Sequence, residues 1–164
     1  MKKQVICLIL VMSILLSGCS FFSARIKDPV VFYYLCDSYQ EDLCCVIVSE
    51  EREASGHTGD LAYLLALYMM GPTNDEHIMP LPFGTRIRVQ STDGHIVLEL
   101  YDMPKAISDA ELSLASACLT MTCLEISEAE DVTIRCGERE TVMDRSNLTL
   151  YDTSSETTPT EESH

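Results

Sequence analysis

Gly84-Thr-Arg-Ile-Arg-Val-Gln-Ser-Thr-Asp-Gly-His-Ile-Val-Leu-Glu-Leu-Tyr101 is the stretch that decides the fold. Asp93-Gly94 suits a two-residue turn with positive φ at both positions, which pairs Thr92 with His95 and, counting outward, Arg88 with Glu99. The same register sets Ile87 against Leu100, Val89 against Leu98 and Ser91 against Ile96 on the opposite face. Turn chemistry and apolar alternation therefore agree on one antiparallel hairpin, with a core face and a face carrying a cross-strand ion pair.

Before the hairpin, Asp60 is placed to cap a helix whose Leu61, Leu64, Leu65, Tyr68 and Met69 form one apolar stripe, and Gly71-Pro72 stops it. Ala62, Tyr63, Ala66, Leu67 and Met70 make the other side apolar as well. Either the helix is sandwiched within its own domain, or Tyr63, Leu67 and Met70 at i, i+4, i+7 meet a partner. Two β-branched and aromatic runs precede it, Val30 to Leu35 and Cys44 to Ser49, read as strands of a hairpin around Asp37 to Asp42. Thr73 to Pro82 reads as a loop.

Following the hairpin, Ser108 and Glu111 have capping-box spacing, flanked by Ile107 and Leu112 as a hydrophobic staple. The helix they open is expected to bury Ala110, Leu114, Ala117, Cys118, Met121 and Leu124 and to end near Ile126. Asp131 to Cys136 alternates as a half-buried strand, and Gly137-Glu138 turns it into Glu140 to Met143. The order β-β-α-β-β-α-β, with a further strand at the end, predicts an α+β fold, a small mixed sheet with two helices packed on it.

Outside this unit the chain changes character. A basic start with Lys2 and Lys3 leads into apolar Val5 to Leu16, too short to span a bilayer, and then Leu16-Ser17-Gly18-Cys19. This resembles the bacterial lipobox, which implies a signal peptide over residues 1–18 and acylation of Cys19, with residues 19–28 as a tether. Two or more acyl chains, at about 0.8 kcal/mol per buried methylene, would anchor it stably. Polar residues 152–164 have nothing to bury and read as a disordered tail, leaving residues 29–151 as the domain.

The 164 residues carry a formal charge of −15, which becomes −17 once Lys2 and Lys3 leave with the leader. No cluster of Lys and Arg interrupts that acidity, so nucleic-acid binding through phosphates is excluded. With 46% hydrophobic residues the chain can still fold. Four Phe and no Trp leave little material for an aromatic ligand cradle.

Leu65 to Gly71-Pro72, then Met79-Pro-Leu-Pro82-Phe-Gly84-Thr85, then Asp93-Gly94, Leu98 to Asp102, a long helix and the strand Asp131 to Cys136 together resemble the GerMN domain of bacterial sporulation and germination lipoproteins. Leu81-Pro82 stands where that pattern usually has Ile-Pro, and the first half is rich in cysteine. The resemblance implies a domain similar to ring-building motifs, used in envelope assemblies and without a known catalytic role. It also implies a protein partner of the envelope or of sporulation, or self-association, at the outer face of a membrane, in a bacterium expected to be Gram-positive. Gly71, Pro72, Pro82, Gly84, Thr85, Asp93 and Gly94 carry the pattern, and their physical role is to stop a helix and set the entry into the hairpin.

No catalytic constellation stands out: His57, His77, His95 and His164 have no metal-spaced partner, and no nucleophile elbow or phosphate-cradling loop occurs. Asn74-Asp75-Glu76-His77 is read as a solvated loop, and no metal or cofactor is expected. Six cysteines remain beyond Cys7 and Cys19; Cys118 and Cys136 read as core, and Cys36 and Cys44 flank a turn that a disulfide would close, while Cys45 and Cys123 have no assigned pairing. An alternative reading is a small-ligand-binding or cell-wall-associated envelope enzyme or regulator, its site assembled around His77, His95 and the acidic loop.

Overall fold

The computed structural model describes residues 26–36, 47–104 and 106–148. The leader, Cys19, most of the tether, the turn at Asp37 to Asp42, Cys44, Cys45 and the polar tail lie outside the described residues. Among the described residues, two helices and seven strands give a mixed α+β fold: β1 (Pro29–Cys36), β2 (Ile47–Glu53), α1 (Leu61–Met69), β3 (His77–Ile78), β4 (Arg86–Thr92), β5 (His95–Tyr101), α2 (Asp109–Ile126), β6 (Asp131–Cys136) and β7 (Arg139–Asp144).

The expected single sheet divides in two. One has the order β2-β1-β3 and is antiparallel throughout; the other has the order β4-β5-β6-β7 and is mixed, because α2 carries the chain back so that β6 runs parallel to β5. The β4–β5 register is the one expected, from Arg86 opposite Tyr101 to Thr92 opposite His95. Asp93 and Gly94 both have positive φ, 47° and 84°. Strand β2 runs on through Ser49, Glu50, Glu51, Arg52 and Glu53, past the expected end at Ser49, because pairing with β1 continues down to Pro29 opposite Glu53. His77, expected within a loop, instead begins β3 and pairs with Cys36.

Helix α2 corrects a second expectation. Its capping box is complete, Ser108 accepting from the Glu111 backbone and Glu111 accepting from the Ser108 backbone. Yet Ala110 is exposed and Leu114, Ala117 and Met121 are only half-buried, whereas Leu112, Ala115, Leu119 and Cys123 join Cys118 and Leu124 in the interior. The reason is that α2 packs on β1 of one sheet and on β6 and β7 of the other, so its buried arc is wide and centred away from the anticipated stripe. Thr122 even accepts a hydrogen bond from the Tyr33 backbone N–H of β1 at 3.0 Å. The core between the layers holds Phe32, Tyr34, Leu64, Tyr68, Ile96, Leu98, Leu119, Val132 and Ile134. Burial pushes the Tyr68 phenol well above its ordinary range, so it stays neutral and donates to the Tyr33 carbonyl at 3.1 Å.

Candidate interaction groove

Asp60 caps α1 by accepting from the Tyr63 N–H at 3.0 Å, and the helix ends in Gly71 at φ 89°, a conformation that disfavours side chains with a Cβ. Leu64, Leu65 and Tyr68 are buried beneath it. Of the three residues considered as a contact face, Tyr63 and Leu67 are half-buried and lean on the core, Tyr63 also stacking on His57 at 4.1 Å. Met70 is 79% exposed. The structure therefore separates Met70 from the other two. The open side of α1 is instead the one that carries Ala62 and Ala66, which sequence reasoning counted as apolar but did not single out.

That side borders a groove of about 430 Å³ between α1 and β4, lined from the helix by Ala62, Leu65, Ala66, Met69 and Met70 and from the sheet by Thr85, Arg86, Ile87, Val89 and Tyr101. The Pro-x-Gly-Thr turn builds one end. Thr85 donates to the Pro82 carbonyl through both its N–H (3.1 Å) and its hydroxyl (2.7 Å), and Gly84 sits at φ 90°. The same turn holds Phe83 98% exposed, two residues before the lining residue Thr85. Asp93 and Gly94 mark the far end of β4.

A second polar site lies where β2, β3 and the loop after α1 meet. The Glu50 carboxylate, 8% exposed, accepts from the Thr73 hydroxyl (2.7 Å), the backbone N–H groups of Thr73 (2.9 Å) and Asn74 (3.3 Å), and His77 Nδ1 (2.9 Å). Arg52 lies 3.5 Å from the same carboxylate and donates to the Gly71 carbonyl at 2.9 Å. Burial raises the Glu50 carboxyl, but the bonds from Thr73, His77 and Asn74 outweigh it and hold the group below its ordinary value. His77 is thus a bracket for the loop. His95 belongs to the other sheet, where its Nδ1 meets Asp131 at 2.7 Å, so the two histidines are not assembled into one site.

Among the described residues, no group of three or more His, Cys, Asp and Glu is placed to hold a metal ion, and no helix is long and apolar enough to cross a membrane. Cys118, Cys123 and Cys136 are buried, and burial pushes the Cys123 thiol up to about 12. Cys36 is half-buried; the other half of the contemplated bridge, Cys44, lies outside the described residues.

The chain matches no family model and no curated protein. Its neighbours among solved structures include a candidate lipoprotein from Clostridium perfringens (13% identity, 73% of this chain and 89% of that one, TM-score 0.45). They also include the first GerMN domain of the sporulation protein GerM from Bacillus subtilis (20% identity, 68% of this chain and 86% of that one, TM-score 0.48) and the tandem GerMN domains of the same protein (18% identity, 68% of this chain and 39% of that one, TM-score 0.46).

Proposed function

We propose that this protein is a lipid-anchored lipoprotein of the bacterial envelope whose GerMN-like domain works by binding a protein partner and performs no catalysis. The observation that carries the reading is the groove between α1 and β4, largely apolar apart from Thr85 and Arg86 and lined by the exposed Met70. Solvent-exposed apolar surface of this kind is stabilised by covering it. Of the residues that resemble the GerMN pattern, Thr85 lines the groove, and Gly71-Pro72 follow directly on its lining residues Met69 and Met70. Acylation at Cys19 would hold the domain at the outer face of the membrane and confine the partner to the envelope. A role in sporulation, germination or envelope assembly belongs to this reading.

The test has two parts. Mass spectrometry of protein from the source membrane should find diacyl or triacyl Cys19 as the first residue; an unmodified thiol there would refute the anchor. A photo-reactive amino acid at Met70 should yield adducts in intact cells, and Met70→Asp should abolish capture of the same adduct partner while circular dichroism stays unchanged. Capture that survives the substitution would remove the groove from the reading.

A further inference from the structure

We infer that the groove is completed by an extended, acidic segment of a partner protein, which adds as a fifth strand to the open edge of β4. The inference rests on the interaction reading above and names the chemistry of the partner.

The backbone supplies the first argument. A two-residue turn makes Thr92 and His95 a hydrogen-bonded pair, and in an antiparallel ladder bonded and non-bonded pairs alternate. Gln90, Arg88 and Arg86 therefore bond inward to β5, while the N–H and C=O groups of Ile87, Val89 and Ser91 point outward. Strand β4 is the terminal strand of its sheet, and none of the described residues forms a backbone ladder with that outward edge. The edge opens on the groove, because Ile87 and Val89 line it together with α1. A helix beside an open strand edge leaves room for one more strand: main-chain bonds supply affinity, and alternate side chains enter the apolar floor. Ala62 and Ala66 keep the helix wall low enough for a backbone to pass.

Charge supplies the second argument. The sheets have four edge strands, and β2, β3 and β7 are unlike β4. Strand β2 contains Glu50, Glu51 and Glu53 against Arg52, β7 contains Glu140 and Asp144 against Arg139, and β3 is two residues long. Strand β4 has Arg86 and Arg88 and no acid, in a chain whose formal charge is −15. Arg86 is 69% exposed and holds Asp102 only at 3.7 Å, so it has capacity for a second carboxylate. At physiological salt the screening length is about 8 Å, so an entering strand senses Arg86, with Asp102 at 3.7 Å, more than acids farther away on the surface. A basic strand would meet the reverse.

The test uses isotope-labelled protein and three short blocked peptides: alternating valine and glutamate, alternating valine and lysine, and the glutamate peptide with alternate amides N-methylated. The glutamate peptide should slow exchange of the Ile87 and Val89 amides about tenfold or more, and the N-methylated peptide should not. Arg86→Glu, a change at an exposed side chain, should weaken the glutamate peptide about tenfold and favour the lysine one. Equal action of the two charged peptides, protection by the N-methylated one, or no protection at all would overturn the inference. So would protection that rises with protein concentration and needs no peptide, which would assign the edge to a second copy. Photo-crosslinking in cells from Met70 and from Val142, a 54% exposed residue of β7, separates this failure from that of the interaction reading. Adducts at Val142 alone would sink the groove and keep a binding module; adducts at neither site would sink both.

Discussion

Two charged regions of this protein use the same residue types to opposite ends. On the outer face of the four-stranded sheet, Arg88, Glu99, Arg135 and Glu140 stand in one row across β4, β5, β6 and β7, with alternating sign. The Arg88–Glu99 and Arg135–Glu140 contacts are short, 2.5 and 2.6 Å, but every side chain in the row is close to half exposed or more. At the junction of β2, β3 and the loop after α1, Glu50 is 8% exposed and surrounded by donors from Thr73, Asn74 and His77, with Arg52 alongside. Water already stabilises the charges of the ladder, so pairing adds little; Glu50 has lost its water, and its partners must replace it. Distance alone would rank the two regions the wrong way round.

The largest expected effect comes from Glu50→Ala, which leaves the Thr73 and Asn74 amides, the Thr73 hydroxyl and His77 Nδ1 without their acceptor and Arg52 without its counter-charge. Denaturant unfolding should show a loss of about 3 kcal/mol, and a loss under 1 kcal/mol would place the junction with the ladder. Acid titration comes next. The folded Glu50 pKa is depressed, so its contribution is present above the unfolded value of about 4.5 and disappears as pH falls through the lower folded value. The melting temperature should therefore fall below about pH 4.5 more steeply in the wild type than in Glu50→Gln, and parallel curves would contradict the assignment. His77→Ala removes one of several donors to the same carboxylate and should cost about 1 to 2 kcal/mol at pH 7. Glu99→Ala, in the ladder, should cost less than about 1 kcal/mol, and salt should erase part of that.

The contrast also bears on function. The ladder and the Glu50 junction have their charges matched within the chain, whereas Arg86 has only a long contact with Asp102. Arg86 lines the groove, and a partner that enters there gains from matching its charge.

The reach of the sequence followed the range of the interactions. The β4–β5 register was readable in full because Asp93-Gly94 prescribes its own backbone angles and the alternation beside it has period two. The caps of both helices, Asp60 and Ser108 with Glu111, were readable for a similar reason, since donor and acceptor are three residues apart. The arc of α2 was not: a periodic stripe identifies the inward face when one side is covered, and α2 is covered by two sheets, so Leu112, Ala115, Leu119 and Cys123 went inside. The acidic second half of β2, beyond the expected end at Ser49, was not assigned to the strand, because its place in the sheet comes from pairing with β1 and from donors more than twenty residues away in the chain.

The groove shows the same division. Sequence alone marked α1 as apolar on two sides and identified Gly71, Pro72, Pro82, Gly84 and Thr85 as the residues that punctuate its surroundings, since glycine and proline act through local φ. Which side of α1 stayed open was decided only when the helix met the core through Leu64, Leu65 and Tyr68, drew Tyr63 and Leu67 partly in, and left Ala62, Ala66 and Met70 beside the edge of β4. That choice depends on what occupies the space around the helix, and chain elements far apart in the sequence occupy it.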